Sequence, residues 1–600
     1  MGKIIRRTLT ALLIVILALS AAIVGAAIKP YTATGEDYAN EVESQDIAKL
    51  RARDKAIKKA TKEAGVYLKT YSRSVNNELT DDEVTAITSN AWQLVSEPKY
   101  SSKIVKGSDE TSIIIWTATV EVNVDDSELQ SWIKRDDKDK STIIEQTREA
   151  QKSAEENERK IEDLREKYNR ATSQAEKDSL RKQMNDADRD FLASEKLNKG
   201  VNFSYAKDHH GAIRLYNEAI ELKPNWYLAY YNRGVAYDDL GQKERAIQDY
   251  NKAIQLNPNY YAAYNNRGVS YSDLGQKERA IQDYNKAIQL NPNYAVAYSN
   301  RGACYNELKQ YEQAIQDVNK AIQLDPNNKE AYINRGNAYQ GLGQYERAIS
   351  EYNKALELNP NFALAYNNRG AAYNELKQYE RAISDLNKAL ELNSNYVDTY
   401  SNLGNAYQGL GQYERAISYY NKAIQINPNY AEAYSNRGEV YRNLKQYELA
   451  ISDYNKAIQL NPNFAMAYNN RGNAYQDLGQ YERSISDYNK AIELNPKYFE
   501  AYYNRGLSYF YLKQNERAIS DYSKAIELNP NFAMAYNNRS IAYALLGNLN
   551  QAIADATKAI QINPNFANAY FVRSVCYQEL GDNAKAQADF AKAKELGYKG

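Results

Sequence analysis

Residues 261–294 read YAAYNNRGVSYSDLGQKERAIQDYNKAIQLNPNY, and near-copies of this stretch decide the fold. Its proline recurs every 34 residues, at Pro224, Pro258, Pro292, Pro326 and Pro360, gives way to Ser394, and returns at Pro428, Pro462, Pro496, Pro530 and Pro564. Twelve units of 34 residues therefore run from residue 193 to residue 600. Within the stretch, Tyr264 and Tyr271 lie seven apart on one face of a first helix, and Gly268 between them permits close approach. Ala280 and Ala287 keep a second helix thin where it crosses the first, and Pro292 restricts its predecessor and ends that helix. A helix pair of this size cannot bury its apolar face alone, so neighbours must stack into a solenoid. The bias of 55 Tyr against 10 Phe follows from copying one pattern and reads as core packing, not a carbohydrate-stacking surface.

A 34-residue period ending in NPN, with Tyr-x6-Tyr in one helix and Ala-x6-Ala in the next, resembles the tetratricopeptide repeat. Tyr264, Gly268, Tyr271, Ala280, Ala287 and Pro292 fall on that family's signature positions, while Arg267 stands where Leu is usual. The resemblance implies a mainly α fold, a right-handed α-solenoid with a concave groove that binds protein or peptide segments. The last two units carry Ser540 and Ser574 in place of the Gly, and the closing helix NAKAQADFAKAKELG has Lys and Ala where a further repeat would stack, as a cap requires.

Two ladders run through the repeats. Arg stands at 233, 267, 301, 335, 369, 437, 471, 505, 539 and 573, and sixteen residues later comes an acid: Asp249, Asp283, Asp317, Glu351, Asp385, Asp453, Asp487, Asp521, Asp555 and Asp589. The units with Lys199 and Leu403 lack the Arg and also lack the acid, having Leu215 and Tyr419. This joint loss predicts structural ion pairs within each unit: Arg233 with Asp249, Arg267 with Asp283, Arg301 with Asp317, Arg335 with Glu351, Arg369 with Asp385, and so on. The second ladder is Asn198, Asn232, Asn266, Asn300, Asn334, Asn368, Asn402, Asn436, Asn470, Asn504 and Asn538, broken only at Val572. It persists where the Arg is missing. An amide offers a donor and an acceptor, so these Asn either hold an extended peptide in the groove, as the family resemblance implies, or bond within the helix layer. Neighbouring wall positions are polar in the middle, as at Asn337, Asn405 and Glu439, and apolar at Leu507 and Ile541.

The N-terminal third differs. MGKIIRR precedes an uncharged apolar run from Leu9 to Ile28, expected to be a cleaved signal peptide or a membrane anchor over 1–28. Residues 29–133 read as a small α+β domain. Ala48, Ala52, Ala56, Ala60 and Ala64 mark a helix face, Gly65 a stop before VYLKTYS, and SIIIWTATVEVNV a strand with Trp116, Ala118, Val120, Val122 and Val124 on one face. This region resembles the N-terminal domain of the flagellar-assembly T protein and small envelope lipoproteins, although the first Cys is Cys304 and no lipobox exists. Residues 134–192 read as a long helical spacer, coiled coil or single solvated helix, with Ile161, Leu164, Tyr168, Ala171 and Ala175 in one apolar set and Leu180, Met184, Ala187 and Phe191 in a second. Self-association through that seam is an expectation.

Chemistry has little material. With 76 basic and 76 acidic side chains the net charge is zero, which points away from nucleic acid. The two His, His209 and His210, are adjacent, and Cys304 and Cys576 share a repeat position where Ala is common. Asp186, Asp188 and Asp190 mimic a calcium loop, but Phe191 and Leu197 replace its Gly and Glu. The expected protein is a non-enzymatic exported bacterial scaffold without cofactor or metal, membrane-anchored, periplasmic or at the cell surface. The alternatives are a glycan or cell-wall binder, or the arm of a glycosyltransferase-type system.

Overall fold

A computed structural model describes residues 29–39, 44–74, 79–90, 93–94, 96–106, 112–124 and 137–598. The apolar run of 1–28 lies outside the described residues. Among the described residues no helix is long and apolar enough to cross a membrane. The chain forms two compact units, residues 1–341 and 342–600.

The first unit opens with a small antiparallel sheet. Strand β1 (Lys29–Ala39) pairs along one edge of β4 (Ser112–Val124), with Lys29 opposite Val124 and Ala39 opposite Ile114. The other edge of β4 carries β2 (Gln93–Leu94) and β3 (Lys99–Lys106), interrupted around Pro98, which has no N–H to give a ladder. Helix α1 (Gln45–Ser74) lies on the sheet through Ala48, Ala52, Ala56, Ala60 and Ala64, all fully buried, against Ala118, Val120 and Val122. A Cβ on Gly35 would stand 2.4 Å from the backbone of Ala52 and Ala56, so β1 crosses α1 where both are bare. Gly65 does not stop this helix, which continues through VYLKTYS to Ser74. A helical Gly costs only about 1 kcal/mol, and it ends a helix only where the chain turns left-handed, which Gly65 does not.

After α2 (Asp81–Asn90), the expected single spacer helix is instead a hairpin of α3 (Asp137–Arg170) and α4 (Gln174–Tyr205). The skip between the two apolar sets is the turn at Ala171–Ser173. Ile161 and Leu164 of one arm share a core with Leu180, Met184 and Ala187 of the other, so the seam is closed within the chain. Asp188 is spent on Arg51, with Arg51 Nη1 donating to its Oδ1 at 2.7 Å, and Asp190 faces Lys160 and Lys223, so the three acids form no loop around an ion. A buried cluster binds these elements: Asp37 of β1, 3% exposed, accepts from Arg51 Nε at 2.6 Å and from Arg165 Nη1 of α3 at 2.8 Å. Burial pushes the Asp37 carboxyl up, but Arg165, Arg51 and Lys55 more than offset that and hold it below the usual carboxylate range.

The C-terminal part of α4 is the first helix of the first repeat, completed by α5 (His209–Leu222). Then follow α6 (Tyr227–Asp239) with α7 (Lys243–Leu256), and α8 (Tyr261–Asp273) with a partner at Lys277–Leu290. The pattern of thirteen- and fourteen-residue helices continues to Asn583–Glu595. Each second helix stops before the proline, where Asn257 or Asn291 Oδ1 accepts from the N–H two residues on. The Gly of most first helices meets a ring of the second: a Cβ on Gly268 would lie 2.8 Å from Tyr284, and one on Gly472 2.7 Å from Tyr488, while Gly302 and Gly370 meet Val318 and Leu386 instead. Tyr264 and Tyr271 are half-buried, whereas Tyr284 and its equivalents Tyr250, Tyr352, Tyr420, Tyr454, Tyr488 and Tyr522 are the rings that fill the layer. At Ser540 the facing residue is Ala556, and at Ser574 the corresponding Phe590 is exposed, so the bulk is relieved on the second helix. Cys304 and Cys576 are free and buried.

Candidate protein-binding face

The arginine ladder is built alike in both units. Arg267 Nε and Nη2 donate to Asp283 Oδ2 and Oδ1 at 2.7 and 2.6 Å, a two-pronged bond across one helix pair. The same geometry joins Arg233 to Asp249, Arg301 to Asp317, Arg369 to Asp385, Arg437 to Asp453, Arg471 to Asp487, Arg505 to Asp521, Arg539 to Asp555 and Arg573 to Asp589. Arg335 and Glu351 fall in different units. The pair is not private to its repeat. Arg233 Nη1 donates to Asn217 Oδ1 at 2.6 Å, on the second helix of the preceding repeat, and Arg335 reaches Asn319 in the same way at 2.8 Å. Each guanidinium also lies over the Tyr one turn back, as Arg437 over Tyr434 at 5.5 Å. Where the pair is lost, Leu403 is buried and Tyr419 stacks on Tyr407 with centroids 5.2 Å apart.

The asparagine ladder also works inside the molecule. Asn300 Nδ2 donates to Asn265 Oδ1 at 3.2 Å, Asn402 to Asn367 at 3.1 Å, Asn436 to Asn405 at 3.2 Å and Asn504 to Asn469 at 3.1 Å. Asn334 donates to Ser299, Asn266 to Tyr231 Oη and Asn538 to Tyr503 Oη. Each bond runs to the first helix of the preceding repeat. The carbonyl oxygens of Asn266, Asn368, Asn470 and Asn538 accept from the amide just before them. The ladder is thus a seam between successive first helices, and for Asn266 and Asn538 both halves of the amide are spent. Asn232 is the exception: it is 1% exposed, and both its amide atoms lack a partner among the described residues. Its counterpart in the preceding repeat is Leu197, which offers nothing to bond. Asn198 borders a cavity described below.

One turn along the same face stand Val235, Val269 and, in the later repeats, Leu507, Ile541 and Val575. In the first unit α3 lies across this face. Its Asn157 donates to Ser194 Oγ at 2.7 Å beside the first repeat, its Glu149 accepts from Tyr227 Oη at 3.2 Å on the second, and its Glu145 accepts from Tyr261 Oη at 3.2 Å on the third. Arg148 Nη2 adds a bond to Tyr261 Oη at 2.7 Å and pairs with Glu145. Ile143 and Gln146 meet Val235, Asn266 and Val269 around a cleft of about 30 Å3. Burial pushes the Glu145 carboxyl up, and Arg148 only partly offsets this. In the second unit the same face is open: Val575 is exposed, as are Tyr511 and Leu545 one turn on from Leu507 and Ile541.

Stacked helix pairs held by a repeated clasp, with one face of the first helices partly free, define a helical-repeat interaction scaffold. Tetratricopeptide-repeat family models match residues 227–260, 261–294, 295–328, 330–362, 397–430, 431–464 and 499–532, then 372–411 and 472–512, and then 351–384, 453–486, 522–554 and 556–588. The chain belongs to the tetratricopeptide-repeat family. Among solved structures it is similar to the APC/C hetero-tetramer Cut9-Hcn1, at 14% identity and a TM-score of 0.40, over 68% of this chain and 94% of that one. It is also similar to yeast Tom70, at 18% identity and a TM-score of 0.35, over 68% and 93%. A tetratricopeptide repeat protein from Parabacteroides merdae matches at 22% identity and a TM-score of 0.36, over 42% and 98%. No curated protein sequence matches the chain.

Proposed function

We propose that this chain is a non-enzymatic exported scaffold that grips a protein segment on the open face of its later repeats and supports assembly of an envelope or surface complex. The observation that carries the reading is the contrast between Val235, buried under α3, and the later first helices, where Val575 is exposed in the same register and Tyr511 and Leu545 are exposed one turn further along. Contiguous exposed apolar side chains on a repeat surface mark a partner site. Since the asparagine amides are largely occupied, contact with the partner falls to the residues one turn on, Leu507 and Ile541 first. The basic MGKIIRR before an apolar run supports export, with the N-terminal end cytoplasmic if the run stays as an anchor. The test is photo-crosslinking of the full chain in envelope extract, with the photoreactive residue at position 541 and, as control, at position 235. A protein captured at 541 and not at 235 supports the reading; capture of nothing at 541, or equal capture at both, defeats it. Fractionation of cells for the full chain tests export separately.

A further inference from the structure

Between α1, α3 and α4 the fold leaves a cavity of about 320 Å3, within the roughly 300–1,000 Å3 of sites that enclose a small organic molecule. Ile57, Ala150 and Val201 give it an apolar floor. Its wall carries both signs of charge. Arg53 Nη2 donates to Asp54 Oδ1 and Glu195 Oε1, each at 2.8 Å, and Lys199 Nζ lies 2.8 Å from the same Glu195 oxygen. Asp54 Oδ2 and Glu195 Oε2 make no hydrogen bond to a described residue, and Lys199 keeps further N–H groups to offer. On α4, Asn198 and Asn202 stand one turn apart, and their side-chain amides bond to no described residue, unlike most later members of the asparagine ladder.

We propose that this cavity binds a small zwitterion, an α-amino acid or dipeptide, with its carboxylate on Lys199 and Arg53, its ammonium on Asp54 and Glu195, and a polar amide on Asn198 and Asn202. A lone anion would sit beside two carboxylates and a lone cation beside three basic side chains, Arg53, Lys58 and Lys199, so a molecule with a charge of each sign fits where neither alone does. Burial pushes the Asp54 carboxyl up, and an ammonium seated on it would draw it back towards the charged form. The site is independent of the open face of the later repeats.

The experiment is calorimetric titration of the full chain with L-alanyl-L-glutamine. Saturable one-to-one binding is expected, weakened at least tenfold when the amino end is acetylated and likewise when the carboxyl end is amidated. Asn198→Ala with Asn202→Ala should weaken it at least tenfold while leaving thermal unfolding unchanged, because those amides hold nothing in the fold. Lys199→Gln serves as the second variant, with the loss confined to ligands that carry a carboxylate. The proposal is overturned if neither the dipeptide nor free L-glutamine, L-lysine or L-leucine gives a saturable heat, or if binding survives in both variants.

Discussion

Val235 and Val575 are the same residue in the same register of the repeat, two positions after an arginine, yet the first is 5% exposed and the second 38%. They differ in place as well as in cover: Val575 stands in the last described repeat, where no further first helix stacks, while Leu507 and Ile541, with neighbours on both sides and no α3, are half-buried. At Val235 a helix outside the repeat array takes the cover further: α3 seats Ile143, Glu145 and Glu149 on the first three repeats and spends that surface. A repeat sets which side chains a face presents, and a non-repeated neighbour decides whether the face remains available.

The strongest way to break the contrast is to release α3 from its clamp. Asp37→Asn takes away the carboxylate that Arg165 and Arg51 share, leaving Arg51 on Asp188 and Arg165 on the Tyr38 carbonyl, and should cost about 3 kcal/mol. Hydrogen exchange should then rise across residues 137–170 and at Val235, with the second unit unchanged. The sign of the pH effect follows from the same cluster: a carboxyl held below its ordinary value contributes stability that is full above that value and lost as pH falls through the lowered one. The N-terminal layer should therefore loosen on acidification below about pH 4, and Asp37→Asn should remove that dependence.

Next in size is the direct test at the two valines. Val235→Asp places an unpaired charge under α3 and should cost about 3 kcal/mol, whereas Val575→Asp should cost less than about 0.5 kcal/mol. Equal costs in thermal unfolding would end the comparison. The open unit, by contrast, depends on its own clasps. Arg437→Leu orphans Asp453 and should destabilise by about 2–3 kcal/mol, and adding Asp453→Tyr should recover most of that, as Leu403 and Tyr419 already do naturally. A double-mutant cycle without coupling would show that the clasp is decorative.

Smaller effects sharpen the picture. Asn232→Leu removes two buried orphan amide atoms and should raise stability by about 1 kcal/mol, while Asn402→Leu cuts a bonded rung and should lower it by about 1 kcal/mol. Smallest of all, Lys377 holds a left-handed turn at φ 57, where its equivalents Gly411 and Gly479 sit at 71 and 72. Lys377→Gly should gain about 0.5 kcal/mol in chemical denaturation, since only Gly adopts that turn without strain.

Much of this was legible because a repeat writes its tertiary contacts into a local period. The joint absence of Arg and acid at Lys199 with Leu215 and Leu403 with Tyr419 revealed a bond between helices before any coordinates, and the alanine stripe of α1 revealed its buried face. The third arm of Arg233, onto Asn217, was missed although Asn recurs at that place, because the same position reads equally well as a solvated helix face. Tyr284 was passed over for Tyr264 since burial along a helix is decided by which neighbour stacks on it. The seat of α3 had no periodic trace at all: Glu145 and Tyr261 meet once, 116 positions apart, and a single long-range pairing leaves no pattern to count. The asparagine ladder left two readings open for a related reason. An amide that suits a foreign peptide suits a neighbouring helix equally well.

The left-handed turns carry one more consequence. From Lys309 onwards they alternate, Lys309, Gly343, Lys377, Gly411, Lys445, Gly479, Lys513 and Gly547, and at two of the junctions Gly341 and Gly409 lie under the rings of Tyr311 and Tyr379. The modular unit here is thus a pair of repeats, two alternating tile shapes laid in sequence. Excising the pair 397–430 and 431–464 would bring together tiles that already know how to abut, whereas excising either one would force two like tiles edge to edge.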